Sequence, residues 1–266
     1  MLIVSGSLWW TKVYQNPQRV FEAMLANNLT TTSVTKTIDV SGEQNTLSQT
    51  VRLQLGAINA ADWRVTTKQG NVSATTQSIG TPKADYVRYT KIGGVDRQRA
   101  AKILNVWGKN GSASLFSQAL LDVNYAPVPP LGVVSPVERQ DMLRFMKDQQ
   151  IFTPDYSSVK SVVVNGRKAY EYQVSVAQAP YVRLMQAFET DLGLTALQDL
   201  SATQYQNEPA QVLTIDVDKL AHTMLRLKYK AAGYTATYQD YGVTQSITIP
   251  NKTIPLDQLK KQAAAL

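Results

Sequence analysis

The sequence contains no cysteine, and this absence removes several kinds of chemistry at once. Disulfide bonds, zinc sites with thiolate ligands and thiol nucleophiles all require cysteine. A lipid-modified cysteine is excluded within these 266 residues for the same reason. Any attachment of this stretch of chain to a membrane must therefore come from a peptide segment.

Histidine is nearly absent as well, since His222 is the only one. A serine hydrolase would need His222 as its base, but no Gly-x-Ser-x-Gly segment presents a serine. Metal sites built from histidine and cysteine are excluded by counting, and no aspartate-rich calcium loop occurs. We expect His222 to be a satisfied surface or edge residue, and we predict no metal site.

Phosphate-binding loops of the Gly-x-Gly-x-x-Gly and Walker types are also missing, which disfavours nucleotide cofactors. The 20 aspartates and glutamates offer many carboxylate pairs, but nothing in the sequence selects one pair for acid and base catalysis. We therefore predict that the protein is not an enzyme, has no catalytic residues and binds no cofactor.

The net charge of +7 is spread along the chain without a block of five or six basic residues. Basic blocks and basic segments interleaved with aromatic residues are the usual signals of nucleic-acid binding. Neither occurs, so we predict no nucleic-acid partner. Attraction to an anionic lipid surface remains open.

The chain has no apolar run of the roughly 20 residues that a membrane-spanning helix needs. Its first ten residues are nonetheless uncharged and end in Trp9 and Trp10, with Lys12 and Tyr14 close behind. Such residues are typical of a membrane helix where it meets the lipid headgroups. We predict that residues 1–15 end a membrane anchor or juxtamembrane segment whose larger part precedes Met1. A soluble tail that folds onto the protein is the alternative.

Hydrophobic periodicity indicates an α+β fold. Asn16 and Pro17 predict the start of a helix, and runs rich in Thr, Val, Ile and Tyr then predict five strands with short turns between them. These strands span residues 33–40, 47–56, 63–69, 72–79 and 84–92. Successive strands with short turns are typical of an antiparallel meander, and alternation around Leu53 gives the sheet one dry face.

The rest of the chain alternates between helices and strands. Helices are predicted over 98–107 and 113–121, from Pro136, over 180–192 and after Pro255. A hairpin is predicted over 159–164 and 168–176, with its turn at Asn165 and Gly166. Three further strands are predicted over 211–217, 223–230 and 234–249. We predict one domain over residues 16–266. Its fold class is α+β, a curved antiparallel sheet forming an unclosed half-barrel with helices covering the concave face.

Two of the predicted helices have stripes of flexible apolar side chains. Methionine adapts to irregular neighbours, which a cavity for acyl chains would use. Plain packing against the sheet is the alternative, although the floor of a cavity is itself core. The predicted lipid-binding residues are Met142, Phe145, Met146, Tyr181, Leu184, Met185 and Phe188.

The last third of the chain resembles the lipoprotein-carrier superfamily. The resemblance lies in Ile215-Asp216-Val217, the polar strand 223–230, the segment from Tyr238 to Pro250 and the closing helix from Leu256. That superfamily includes the periplasmic outer-membrane lipoprotein carrier and mycobacterial lipoproteins that ferry glycolipids. The order of elements over 16–266, including the hairpin SSVKSVVVNGRKAYEYQVSV, also resembles membrane-anchored envelope proteins of small-genome bacteria.

The resemblance implies an unclosed antiparallel barrel whose mouth is plugged by helices around an apolar cavity for acyl chains. This sequence differs from the mycobacterial members, because it does not contain their lipidated cysteine. We therefore expect an extracytoplasmic module of the bacterial cell envelope, anchored through its N-terminus, that binds lipid or the acyl chains of lipoproteins and acts in their transport. The alternative is an envelope sensor or structural domain of the same fold that binds a protein partner without a cargo.

Overall fold

The computed structural model describes residues 14–41, 45–56, 59–111, 114–124, 128–194, 200–243 and 247–265. The fold class is α+β, as predicted, with a large, curved and unclosed sheet that is mostly antiparallel and, in the described residues, six α-helices. Contacts divide the chain into two compact units. The first unit is Met1–Thr31 with Asn124–Tyr238, and the second is Thr32–Val123 with Gln239–Leu266. The single-domain boundaries at 1–15 and 16–266 stay a prediction.

The elements of the described residues follow one another as helix, strand meander, helices, hairpin, helix and strands. The helices are α1 (Pro17–Asn28), α2 (Arg97–Ala101), α3 (Leu115–Val123), α4 (Pro136–Asp148), α5 (Gln178–Asp191) and α6 (Leu256–Ala264). The strands are β1 (Ser33–Ser41), β2 (Asn45–Gln54), β3 (Ala60–Gln69), β4 (Val72–Gly80), β5 (Asp85–Gly93), β6 (Gly108–Asn110), β7 (Phe152–Pro154), β8 (Lys160–Val164), β9 (Arg167–Val176), β10 (Gln211–Asp218), β11 (Met224–Tyr229), β12 (Tyr234–Gln239) and β13 (Ile254–Pro255).

In the first unit the strands lie in the order β12-β11-β10-β9-β7, and β8 also pairs with β9, all antiparallel. Helix α1 packs on β10. The ring of Phe21 in α1 lies 5.2 Å from that of Tyr172 in β9, and the Tyr172 hydroxyl donates to the carbonyl of Pro17 at 2.8 Å. The buried tyrosine thus fixes the start of α1 while its polar end stays hydrogen-bonded.

The hairpin β8–β9 turns where the sequence predicts it. Asn165 and Gly166 both have positive φ, at 50° and 77°, as a two-residue turn that follows the twist of its strands requires. Asparagine and glycine adopt this backbone conformation more readily than other residues. Local sequence therefore determines the register of this pair.

In the second unit the order is β13-β6-β5-β4-β3-β2-β1, and every pair is antiparallel except β13 with β6. Helix α3 packs on β2, β3 and β4. A Cβ atom at Gly80 would lie 2.4 Å from the backbone nitrogen of Phe116, so only glycine permits this approach. The Asp85 carboxylate accepts from the amides of Ser114 and Leu115 at 3.0 and 3.1 Å, which satisfies the exposed donors at the start of α3.

A lysine side chain is also buried between α3 and the sheet. The Lys36 side chain has no exposed area, and its ammonium lies 3.1 Å from the Asp122 carboxylate of α3. Desolvation lowers the pKa of Lys36, and the charge of Asp122 opposes that shift. The ion pair therefore holds α3 against β1.

Two elements predicted from the sequence are shorter in the structure. The helix expected over 98–107 ends at Ala101, because Leu104 forms a bridge with Tyr89 and Gly108 begins β6. The strand expected over 234–249 ends at Gln239, since Asp240 and Gly242 have the positive φ of a turn, at 58° and 67°. In both places the prediction from periodicity was wrong.

Candidate functional site

Helix α4 begins as its sequence predicts. Ser135 is the N-cap, its hydroxyl oxygen accepts from the Glu138 amide at 3.4 Å, and Pro136 occupies the first turn. The Glu138 carboxylate accepts a short hydrogen bond from the Ser135 hydroxyl. This arrangement places the Glu138 side chain at the N-terminal end of α4.

Helix α5 starts at Gln178, two residues before Pro180, so proline again occupies the first turn. It ends in a tight turn where Gly193 has a φ of 70° and the Leu194 amide donates to the Glu189 carbonyl at 2.8 Å. The conformation of Gly193 lets its own amide and that of Leu194 donate to the last carbonyls of the helix. Asp191 therefore lies in the last turn of α5.

Between α4 and α5 lies an open groove of about 430 Å³ whose accessible surface is mainly apolar. A volume of this size falls within the range of small-molecule sites. The lining residues are Glu138, Asp141, Met142, Phe145, Leu184, Ala187, Thr190 and Asp191. On each helix they follow the three- and four-residue spacing of one face, so each helix presents a single face to the groove.

The polar lining residues give the groove an acidic rim. Asp191 hydrogen-bonds Glu138, and this contact is the main reason that the pKa of Glu138 is raised above its ordinary value. Asp141, also on the rim, is paired with exposed Arg144 at 3.0 Å. Negative charge at the mouth disfavours ligands with an anionic group there.

The structure brings together three of the seven predicted lipid-binding residues on the groove. Met142, Phe145 and Leu184 line it. Three others are buried side chains that do not line it: Met146, Met185 and Phe188, at 3, 4 and 1% exposed. Whether any of the seven contacts lipid stays a prediction.

The seventh residue, Tyr181, is half-buried and oriented by a hydrogen bond. Its hydroxyl donates to the Val128 carbonyl at 3.2 Å, and desolvation raises the pKa of the phenol. The loop that contains Val128 also approaches α5 closely: a Cβ atom at Gly132 would lie 2.6 Å from the ring of Phe188. The loop therefore packs against this side of α5 and covers it.

No protein-family profile matches this chain, and no curated protein matches it in sequence. Among solved structures, LprF from Mycobacterium bovis is similar to it. The match covers 89% of this chain and 97% of LprF, with 11% sequence identity and a TM-score of 0.41. A likeness at this level concerns the fold at most, and it carries no argument about function.

The segment predicted to end a membrane anchor lies almost entirely outside the described residues, which begin at Tyr14. The Tyr14 hydroxyl donates to the Leu220 carbonyl at 3.0 Å. In the described part of the chain no helix is both long enough and apolar enough to cross a membrane. The membrane anchor stays a prediction.

His222 is less accessible than a surface residue. It is 9% exposed, lies in the turn from β10 to β11 with a φ of 50°, and its ring is 4.6 Å from that of Tyr14. Desolvation lowers its pKa, and its Nε2 has no hydrogen-bond partner among the described residues. The expectation of a surface residue was therefore wrong, while a hydrogen bond with the Lys219 backbone satisfies part of the ring. No cluster of three potential metal ligands occurs in the described residues.

Sequence reasoning missed the acidic rim. Glu138 follows Ser135 at the spacing of a capping box, but its approach to Asp191 joins residues of different helices. The helical spacing of Glu138, Asp141, Met142 and Phe145 could have placed one half of the rim on the apolar stripe. The other half depends on how α4 and α5 pack.

Proposed function

We propose that the protein is a non-enzymatic binding module that takes up an acyl chain in the groove between α4 and α5. The observation that carries this proposal is the groove itself, an open apolar space of about 430 Å³ floored by Met142, Phe145 and Leu184. Burial of a methylene group from water contributes about 0.8 kcal/mol, so a few groups in such a groove supply useful affinity.

The carboxylates of the rim disfavour ligands that are themselves negatively charged. Glu138, Asp141 and Asp191 put carboxylates at the mouth, so a free fatty acid would bring its own negative charge against them. An acyl chain linked through a neutral ester or amide avoids this repulsion. We therefore favour neutral acylglycerols and the acyl chains of lipoproteins over free fatty acids.

The cellular setting of the proposal comes from the sequence. Trp9 and Trp10 followed by Lys12 suit the headgroup region at the end of a membrane anchor. We propose that the module lies outside the cytoplasm at a bacterial cell envelope, attached through its N-terminus, where it takes part in the transport of lipid or lipoproteins.

A displacement experiment tests the groove. The neutral dye N-phenyl-1-naphthylamine is bound to the protein and displaced with monododecanoylglycerol. Ala187 is exposed on the groove, so Ala187→Trp fills the space without changing the core. We expect this variant to weaken acylglycerol binding by at least about tenfold, which corresponds to 1.4 kcal/mol.

Gln140→Trp is the matched control, because Gln140 is exposed on α4 and does not line the groove. Its affinity should equal that of the wild type. Equal affinities for Ala187→Trp and Gln140→Trp would remove acyl binding from this groove, as would wild-type protein that does not release the dye to the acylglycerol.

The acidic rim also favours a second candidate, a protein-interaction module without a lipid cargo. A groove with an apolar floor and carboxylates on both helices suits the apolar face of a partner helix with basic residues along its edges. In that case Ala187→Trp should abolish capture of an envelope partner while acylglycerol binding is absent from the wild type.

A further inference from the structure

The second unit has a cleft on the face of its sheet opposite α3. The register pairs Arg52 of β2 with Asp62 of β3, and Arg64 of β3 with Gln77 of β4, which in turn pairs with Arg88 of β5. Directly paired residues of antiparallel strands lie on the same face. Four adjacent strands therefore bring their polar side chains together as the floor of the cleft.

The cleft is large and mainly basic. Its volume is about 580 Å³, within the range of small-molecule sites. Four cationic side chains line it against one carboxylate, that of Asp62. The lining residues are Arg52, Asp62, Arg64, Gln77, Ile79, Arg88, Asn105, Trp107, Ile247, Thr248, Ile249, Pro250, Asn251 and Lys252.

The Asp62 carboxylate is already paired with neighbouring side chains. The Arg52 guanidinium donates to Asp62 Oδ2 at 2.7 Å, and the Gln77 amide donates to Asp62 Oδ1 at 2.9 Å. A second guanidinium, that of Arg64, lies 3.7 Å from Asp62 Oδ2. Asp62 is 4% exposed, so these contacts compensate its buried charge and leave the positive charge in excess.

Arg88 is held in place by neutral groups. Its Nε and Nη2 donate to Gln77 Oε1 at 3.0 and 2.6 Å, and its guanidinium stacks over the Trp107 ring at 4.5 Å. Among the described residues no carboxylate lies within 4.0 Å of this guanidinium. These contacts hold the Arg88 guanidinium in a fixed position beside the aromatic ring.

The carboxylate of Asp240 does not cancel the excess of positive charge in the cleft. It lines a smaller recess of about 240 Å³ that includes Arg52, Asp62 and Arg64 but not Arg88 or Lys252. The excess of positive charge therefore lies toward β5 and the segment 247–252, which forms the wall above Arg88.

We propose that this cleft binds a small organic ligand through its phosphate group. Arg88 and Arg64 contact the phosphate oxygens, and Lys252 adds charge from the wall. Guanidinium groups match the geometry of phosphate oxygens and form charge-assisted hydrogen bonds with them. Trp107 and Ile249 supply apolar surface for the organic part of the ligand.

The test is titration calorimetry with glycerol 1-phosphate at fixed ionic strength. Wild-type protein should bind it saturably with one site. Arg88→Gln should weaken binding by at least about tenfold, because a hydrogen bond to a charged group is lost. Arg97→Gln is the matched control: it removes the same charge from an exposed residue of α2 that does not line the cleft, and its affinity should be unchanged.

A second variant keeps the test decisive if Arg88→Gln fails to fold, as judged by circular dichroism. Lys252 is exposed, so Lys252→Gln leaves the sheet intact and should weaken binding about two- to fivefold. Absence of saturable binding by the wild type overturns the proposal, and so does an equal loss in Arg88→Gln and Arg97→Gln.

Sedimentation with phosphatidylglycerol vesicles identifies the source of the phosphate. Vesicle binding that glycerol 1-phosphate displaces and that Arg88→Gln weakens assigns the site to a lipid headgroup. Binding of glycerol 1-phosphate without vesicle binding assigns it to a soluble phosphate ester. None of these residues lines the groove between α4 and α5, so the two sites succeed or fail separately.

Discussion

Leu184→Ala should show whether the floor of the groove borders open space. Leu184 is fully buried in α5 yet lines the groove. Truncation of a buried leucine costs about 2 to 5 kcal/mol, and the spread depends on the cavity that is left behind. At Leu184 the new space opens into the existing groove, so we expect the free energy of unfolding to fall by about 2 to 3 kcal/mol.

Leu213→Ala is the comparison within the same unit. Leu213 is 1% exposed in β10 and does not line the groove, so its truncation leaves a closed cavity and should cost about 4 to 5 kcal/mol. Urea unfolding measures both free energies, provided that the slope with denaturant is unchanged. A loss at Leu184 as large as that at Leu213 would refute the view that this leucine borders unfilled space.

Two further predictions concern Glu138 and Gly80. The pKa of Glu138 is raised by its hydrogen bond with Asp191, so the stabilisation it gives is complete below about pH 4.5 and is lost as the pH rises through the raised pKa. Glu138→Gln should therefore match the wild type in urea unfolding at pH 4 and exceed it at pH 7, whereas equal differences at both pH values would contradict the raised pKa of Glu138. Gly80→Ala should destabilise the protein by about 1 to 3 kcal/mol because its Cβ would meet the Phe116 backbone, while Gly111→Ala, with open space around it, should change little.

Much of the fold could be predicted from local sequence. The five strands of the meander follow the alternation of apolar and polar residues, and the hairpin at Asn165 and Gly166 follows from turn chemistry. These features depend on neighbours in the chain. The segment after Ala101 could not be predicted in the same way, because Leu104 pairs with Tyr89 of β5 rather than continuing a helix.

The candidate site could be predicted only in its apolar half. The two apolar stripes, with Met142 and Phe145 on α4 and Leu184 on α5, follow from helical periodicity. The pairing of Glu138 with Asp191 could not be foreseen, because it arises from the packing of two helices that are distant in sequence. The basic cleft has the same origin, since it depends on the register of four strands.

Methyl NMR of the methionines tests the central claim most directly. In protein with ¹³C-labelled methionine methyl groups, titration with monododecanoylglycerol should shift the Met142 signal saturably, because Met142 lines the groove. The signal of Met24, which is buried in α1 and does not line the groove, should stay in place. An unmoved Met142 signal at saturating acylglycerol, or shifts of equal size at both methionines, would contradict acyl binding between α4 and α5.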